Sequence, residues 1–220
     1  MSEEERVVRD SRLVYELEEM KRLTRESSMI GFEANDEYQP DQYYVKFQVT
    51  GLVHRDRRSN RHVAHIYLSA SYPRNPPVVR FKTPIFHPNI KALLDDDQQV
   101  ARFAANVGGQ ENLERLYYQN PGVRELFDAH ICLDVLDLNW TPSVTLYDIC
   151  LELGAMIQYQ RYNLKSPLNH EAAEWTGWAE AQPGLLPIDT RDLRDRLQLP
   201  TAKEVGRTPI RIVNVEKVAP

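Results

Sequence analysis

"YYVKFQVTGLVHRDRRSNRHVAHIYLSA", residues 43–70, alternates apolar and polar side chains twice, over 43–52 and again over 61–70. Both runs are rich in aromatic and β-branched residues, the pattern of strands with one face in a core. The charged octet between them, VHRDRRSN, reads as a hairpin connection. A third run, PPVVRFKT (76–83), follows closely enough to complete an antiparallel meander. Between the second and third runs, SYPRNPP (71–77) carries three prolines. Proline has no N–H to give a ladder, so this stretch must leave the sheet as a bend or an edge.

Helical patterns flank the meander. Leu13, Leu17, Met20 and Leu23 recur at helical spacing within residues 3–28, with Gly31 as the stop. SVTLYDICLELGAMIQYQ (143–160) places Leu146, Ile149, Cys150, Leu153 and Ile157 on one face, and Ser143 or Thr145 can cap it. PLNHEAAEWTGWAEA (167–181) is a further helix. TRDLRDRLQL (190–199) has a short helical pattern, and PIRIVNVEKV (209–218) alternates like a strand. Residues 91–130 are too long for a plain loop. They hold an acidic triplet, a Gly-Gly break and two short helical patterns, near Glu111–Gln119 and Gly122–Asp128. Helix, meander, irregular segment, helix, helix is the order of an α+β domain, not of alternating βαβ units. The domain is expected over 1–182, with 183–220 as a C-terminal extension.

Composition narrows the function. A formal net charge of −5 argues against a general nucleic-acid binder, which needs a basic surface to release counterions from phosphate. Two cysteines make neither a disulfide framework nor a four-ligand zinc site, and such sparse cysteine suits a reducing cytosol. MSEEERVVRD has no apolar signal core, and no run approaches the ~20 apolar residues of a membrane span. The expectation is a soluble, cytoplasmic protein without metal, nucleic-acid or membrane partners.

Of the two cysteines, Cys150 falls on an apolar helix face and reads as packing. Cys132 lies in DAHICLDVLDLNWTP (128–142), where the residues alone leave packing, ligation and nucleophilic roles open.

Five stretches in order, spread over residues 43–175, resemble the ubiquitin-conjugating enzymes. SYPRNPP resembles the family's Tyr-Pro-x-x-Pro-Pro bend, and FKTPIFHPNI (81–90) contains its His-Pro-Asn signature as His87-Pro88-Asn89. ICLDVL (131–136) is similar to its active-site cysteine stretch, WTPSVTLYDIC (140–150) to its Trp-x-Pro loop and following helix, and SPLNHEAAEW (166–175) to its Pro-Leu-x-x-Glu-Ala-Ala segment. The resemblance implies a UBC-like α+β fold: N-terminal helix, antiparallel meander and C-terminal helices, here with a helical insertion (91–130) before the active-site cysteine.

It also implies a carrier. A ubiquitin-like protein arrives as a thioester on an activating enzyme, moves to Cys132, and is passed to an amine, usually a target lysine. ATP is used by the activating enzyme, and no cofactor is implied for this chain. A thiolate suits thioester exchange, since sulfur is nucleophilic even when only a few per cent is ionised. The resemblance makes Asn89 either an oxyanion donor or a holder of the adjacent loop, and His87 and Pro88 structural. Ser166 stands where many members carry aspartate; it can orient an incoming lysine but is a poor base. His130, Trp140, Pro142 and Tyr162 support the site. Arg12, Lys21, Arg22, Arg74 and Ser143 are candidate partner contacts for the ubiquitin-like protein, the activating enzyme, the target and, where one is used, a ligase. Arg74 replaces the apolar residue that docks RING-type ligases, which argues against conventional RING docking. That departure, the insertion and the unmatched tail resemble divergent bacterial members that act in antiphage defence. The alternative is a non-catalytic relative of the fold that binds ubiquitin-like proteins as a scaffold.

Overall fold

The computed structural model describes residues 3–94, 97–131 and 140–197. Cys132 and the expected strand at 209–218 lie outside the described residues.

The alternating runs form strands. β2 (Gln42–Phe47) buries Tyr43, Val45 and Phe47, and β5 (His62–Tyr67) buries His62, Ala64 and Ile66. β2, β5 and β6 (Val78–Phe81) are antiparallel neighbours, as the meander requires. The first run breaks at Phe47. Gly51 then opens a separate two-stranded hairpin, β3 (Gly51–His54) with β4 (Arg57–Ser59), so the charged octet is largely paired. Gly51 is required by a close approach: a Cβ there would meet Ile157 Cγ2 at 2.6 Å and its carbonyl oxygen at 2.8 Å.

α1 runs Glu3–Glu26 and buries Leu13, Leu17, Met20 and Leu23 as its spacing demands. Gly31 is not its stop. The helix ends at Glu26, five residues earlier, and Gly31 lies within β1 (Ile30–Ala34), an edge strand paired antiparallel with β2. Buried Ile30 opposite Phe47 draws this segment into the sheet. The whole sheet has the order β1-β2-β5-β6-β8-β7. One face carries α1 and α5 (Leu146–Ile157) over a single core cluster; the other shows Glu33, Tyr44, His65, Arg80, His130 and Lys91 in one cross-strand row.

Residues 91–130 carry three helices, one more than their pattern suggests: α2 (Asp97–Asn106), α3 (Gln110–Gln119) and α4 (Pro121–Phe127). Val100, Phe103 and Ala104 give α2 an i, i+3, i+4 stripe that Val107 continues just past its end, and Asp97 complements its N-terminal dipole. The acidic triplet therefore ends in a helix start. β7 (Ile90–Lys91) and β8 (Ala129–Ile131) pair with Lys91 opposite His130. This helical segment thus leaves and returns through adjacent strands.

α5 is capped by Thr145, not Ser143, through a reciprocal capping box with Asp148. α6 (His170–Glu180) is capped by Asn169. Residues 193–196 form a turn where the pattern predicts a short helix, and they are drawn into tertiary contacts. Leu193 fills the space left by Gly154, and the Arg196 N–H donates to Glu26 O at 3.0 Å.

Candidate active site

Residues 86–89 clamp the chain between α5 and α6 at several points. The His87 ring is fully buried; its Nδ1 accepts from the Asn89 backbone N–H at 3.1 Å. That leaves the ring proton on Nε2, 3.1 Å from the Arg161 carbonyl. Burial pulls the His87 pKa down to about 4, so the ring is neutral. The Asn89 amide nitrogen donates to Asn163 O at 2.7 Å, and its carbonyl oxygen accepts from Asn163 N at 2.8 Å. The Pro88 carbonyl accepts from the N–H groups of Leu168 (2.8 Å) and Asn169 (2.9 Å). Lys165 and Ser166 are exposed between these anchors, and Tyr162 is half-buried among the aromatic residues behind them.

The turn into this loop carries a feature with no sequence signal. Tyr159 sits at φ 58, the left-handed region that usually holds glycine after a helix. Its N–H donates to Met156 O and that of Gln160 to Ala155 O, both at 2.9 Å, the two bonds of a Schellman motif. A non-glycine residue there costs about 1–2 kcal/mol. The side chain offsets it: the hydroxyl donates to Phe86 O at 2.6 Å, and the ring meets His87 and Trp175 edge-on.

A second cluster holds the Trp140–Thr145 loop. The Trp140 indole N–H donates to Pro73 O at 3.0 Å, its ring 5.7 Å from that of Tyr72. The Arg12 guanidinium donates to Pro142 O and Val144 O, each at 2.6 Å. Behind it, Glu16 is fully buried and accepts from Arg12, from the Tyr72 hydroxyl and from Leu146 N–H. Glu16 is a site residue that spacing did not single out; its position one turn after Arg12 on an otherwise apolar helix face is the signal that was there.

The ladder relates these clusters to Cys132. Ile131, bonded to Cys132, lies opposite Ile90, bonded to Asn89. His130 points to the other sheet face, between Arg80 and Lys91. The remaining candidates are dispersed. Arg74 is exposed and paired with Glu5 at 2.8 Å. Lys21 pairs with Glu18, and Arg22 stacks on the Tyr147 ring at 4.2 Å. Ser143 is exposed and bonds Thr141. Cys150 is buried beside Met20, its thiol pushed far above the usual range. Among the described residues no group of three or more His, Cys, Asp or Glu could hold a metal ion, and no helix is long and apolar enough to cross a membrane.

Residues 12–93 match the family model described as ubiquitin-conjugating enzyme. The match runs from Arg12 through His87-Pro88-Asn89 and stops at the start of the insertion. Ubiquitin-conjugating enzyme E2 16 of Schizosaccharomyces pombe is 24% identical over 134 residues, 61% of each chain. Ubiquitin-conjugating enzyme E2 13 of Saccharomyces cerevisiae is 28% identical over 119 residues, 54% of this chain and 52% of that one. The chain thus spans about half to three fifths of these relatives. A solved Toxoplasma gondii ubiquitin conjugating enzyme domain aligns with 78% of this chain and 88% of its own at 20% identity, TM-score 0.46. The fold is α+β, with an N-terminal helix, an antiparallel sheet and C-terminal helices, and residues 12–93 are similar in sequence to the ubiquitin-conjugating enzymes.

Proposed function

We propose that this chain is a conjugating enzyme that carries a ubiquitin-like protein as a thioester on Cys132 and passes it to an amine. The observation that carries the reading is the β7–β8 register. Two motif halves, Asn89 and Cys132, are separated by a three-helix insertion, yet their neighbours Ile90 and Ile131 are paired residues. Chain length is taken up by the insertion while the motif is kept.

In the first step the Cys132 thiolate attacks the carbonyl of the thioester on the activating enzyme. A new C–S bond forms and the activating enzyme's sulfur leaves as thiolate. In the second, a neutral amine attacks the thioester carbonyl, the C–N bond of the amide forms as the C–S bond breaks, Cys132 leaves as thiolate, and the amine proton passes to solvent. The activating enzyme, not this chain, uses ATP. Asn89 acts by holding the loop through both halves of its amide. Ser166, exposed on that loop, orients the lysine, and the lysine loses its proton through desolvation. Target and ligase meet the enzyme around this loop and along α1. With Arg74 charged and paired to Glu5, a conventional RING contact is disfavoured. A cytoplasmic setting follows from the reaction's reducing requirement for a free thiol.

Incubation with activating enzyme, ATP and a ubiquitin-like protein tests this reading. A reductant-sensitive adduct is expected, converted to a stable oxyester by Cys132→Ser and abolished by Cys132→Ala. An adduct surviving Cys132→Ala refutes the choice of nucleophile. No adduct with any ubiquitin-like protein, together with direct binding of one, supports the scaffold reading instead. The bacterial, antiphage placement rests on the departures alone, since the two curated relatives above are yeast proteins. Adjacent genes for an activating enzyme, a ubiquitin-like protein and a protease would support it.

A further inference from the structure

We infer that Arg12 and Glu16 are positioning residues for the transfer step, acting through the Pro142–Leu146 segment that follows Cys132 in the chain. The inference rests on the function proposed above and adds to it residues outside the His-Pro-Asn clamp.

The geometry is specific. Arg12 and Glu16 lie one turn apart on α1, some 130 residues before the segment they hold. One guanidinium nitrogen donates to Pro142 O and another to Val144 O, each at 2.6 Å, while Nε donates to Glu16 at 2.7 Å. These two carbonyls precede α5, so no helical N–H reaches them. Glu16 takes the Leu146 N–H at 2.7 Å, one of the helix-start donors that have no intrahelical acceptor. The Tyr72 hydroxyl donates to the same carboxylate, and the Tyr72 ring lies against Trp140. Every residue from Trp140 to Leu146 therefore lies within two positions of a contact made by this cluster or by Pro73.

A buried carboxylate is a costly way to fill a core. Its desolvation penalty is several kcal/mol, and apolar packing of equal volume would be at least as stable. What the charged cluster supplies is direction: planar guanidinium donors and two carboxylate oxygens fix where the segment sits. The β8 ladder holds the chain at Ile131. Arg12 and Glu16 hold it again from Pro142 to Leu146. The Arg12 side chain is 15% exposed and that of Glu16 0%, so Glu16 cannot act by touching a partner protein.

The test is single-turnover discharge of the purified thioester to free lysine. That reaction contains no second folded partner beyond the cargo. Arg12→Ala and Glu16→Gln are expected to slow discharge about 10-fold or more, since misplacement by about 1 Å costs up to about 10²-fold. Arg12→Lys, which keeps the charge but not the fork, recovers part of the rate. Loading of Glu16→Gln, whose side chain no partner reaches, is expected to change less than about twofold in KM for the activating enzyme. A merely structural role would lower the melting temperature yet leave the rate per folded molecule unchanged. Tyr72→Phe, which removes one donor to Glu16, serves if Glu16→Gln does not fold; a slowed discharge is expected there too. Wild-type discharge in folded Arg12→Ala and Tyr72→Phe overturns the inference, as does an effect confined to loading. Wild type that never loads overturns the proposed function and this inference together, whereas a loading wild type with unaffected variants overturns this inference alone.

Discussion

Acid should loosen the clamp at His87, and the size of the effect follows from its burial. The ring is fully buried and neutral, with its pKa lowered from 6.5 to about 4. In the unfolded chain it takes a proton near 6.5, while the folded chain resists until about 4. Between those values the unfolded state binds more protons, so stability falls as pH falls. The contribution is fully present above about pH 6.5, is lost progressively toward about pH 4, and amounts to about 3 kcal/mol. Other groups titrate in the same window, notably His62 and His65, which burial also lowers from 6.5, whereas the Asp189 carboxyl, held well below its usual range by Arg191, gives up its contribution only in stronger acid. The difference between wild type and His87→Gln isolates the histidine. The glutamine amide can still reach Arg161 O but does not titrate; losing the acceptor for Asn89 N–H costs about 1–3 kcal/mol at neutral pH. Urea unfolding at intervals from about pH 7.5 to about pH 4 measures the difference. The wild-type advantage should shrink by about 3 kcal/mol across that range. A difference that stays constant with pH refutes a neutral His87 held by burial.

Three further outcomes are expected. Joining Ala92 to Asp128 by a short turn, with α2–α4 removed, should leave a folded protein that still loads, because Lys91 and His130 are already paired. The cleft of about 360 Å³ between Phe86 and Asn169 on one side and Tyr117 and Phe127 on the other would be lost, and partner choice should change; identical transfer to every partner would show the insertion to be elaboration only. Gly51→Ala should destabilise by about 1–3 kcal/mol in thermal or urea melts, since its Cβ meets the Ile157 backbone. Tyr159→Phe, which keeps the strained φ but drops the bond to Phe86 O, should cost about 1–3 kcal/mol; a neutral result would mean that the ring alone holds the turn.

Much of the fold was legible because it is written in short windows. Period-two alternation fixes which faces of β2 and β5 are buried, and the 3.6-residue stripe does the same for α1 and α5. Ser143 or Thr145 marks the start of α5, and the structure selects Thr145 with Asp148. The readings that failed were those a window cannot hold. Gly31 looks like a helix stop until Ile30 is seen to pair with Phe47. The 190–199 pattern is helical in isolation, yet Leu193 is worth more in the gap over Gly154 than in a short helix, which is marginal alone.

The candidate site divides in the same way. The resemblance to a known family, and not the residues alone, singled out His87, Pro88, Asn89 and Cys132 as candidates. Only the tertiary structure decided that Asn89 and His87 grip Asn163 and Arg161, that Tyr159 turns left-handed under Phe86, and that Arg12 and Glu16 hold the far loop. The physical reason is range. Propensity and periodicity act within a few residues, whereas a buried polar group takes whichever partner the packed sheet and helices bring within about 3 Å. For Glu16 and Leu146 that partner lies 130 positions away.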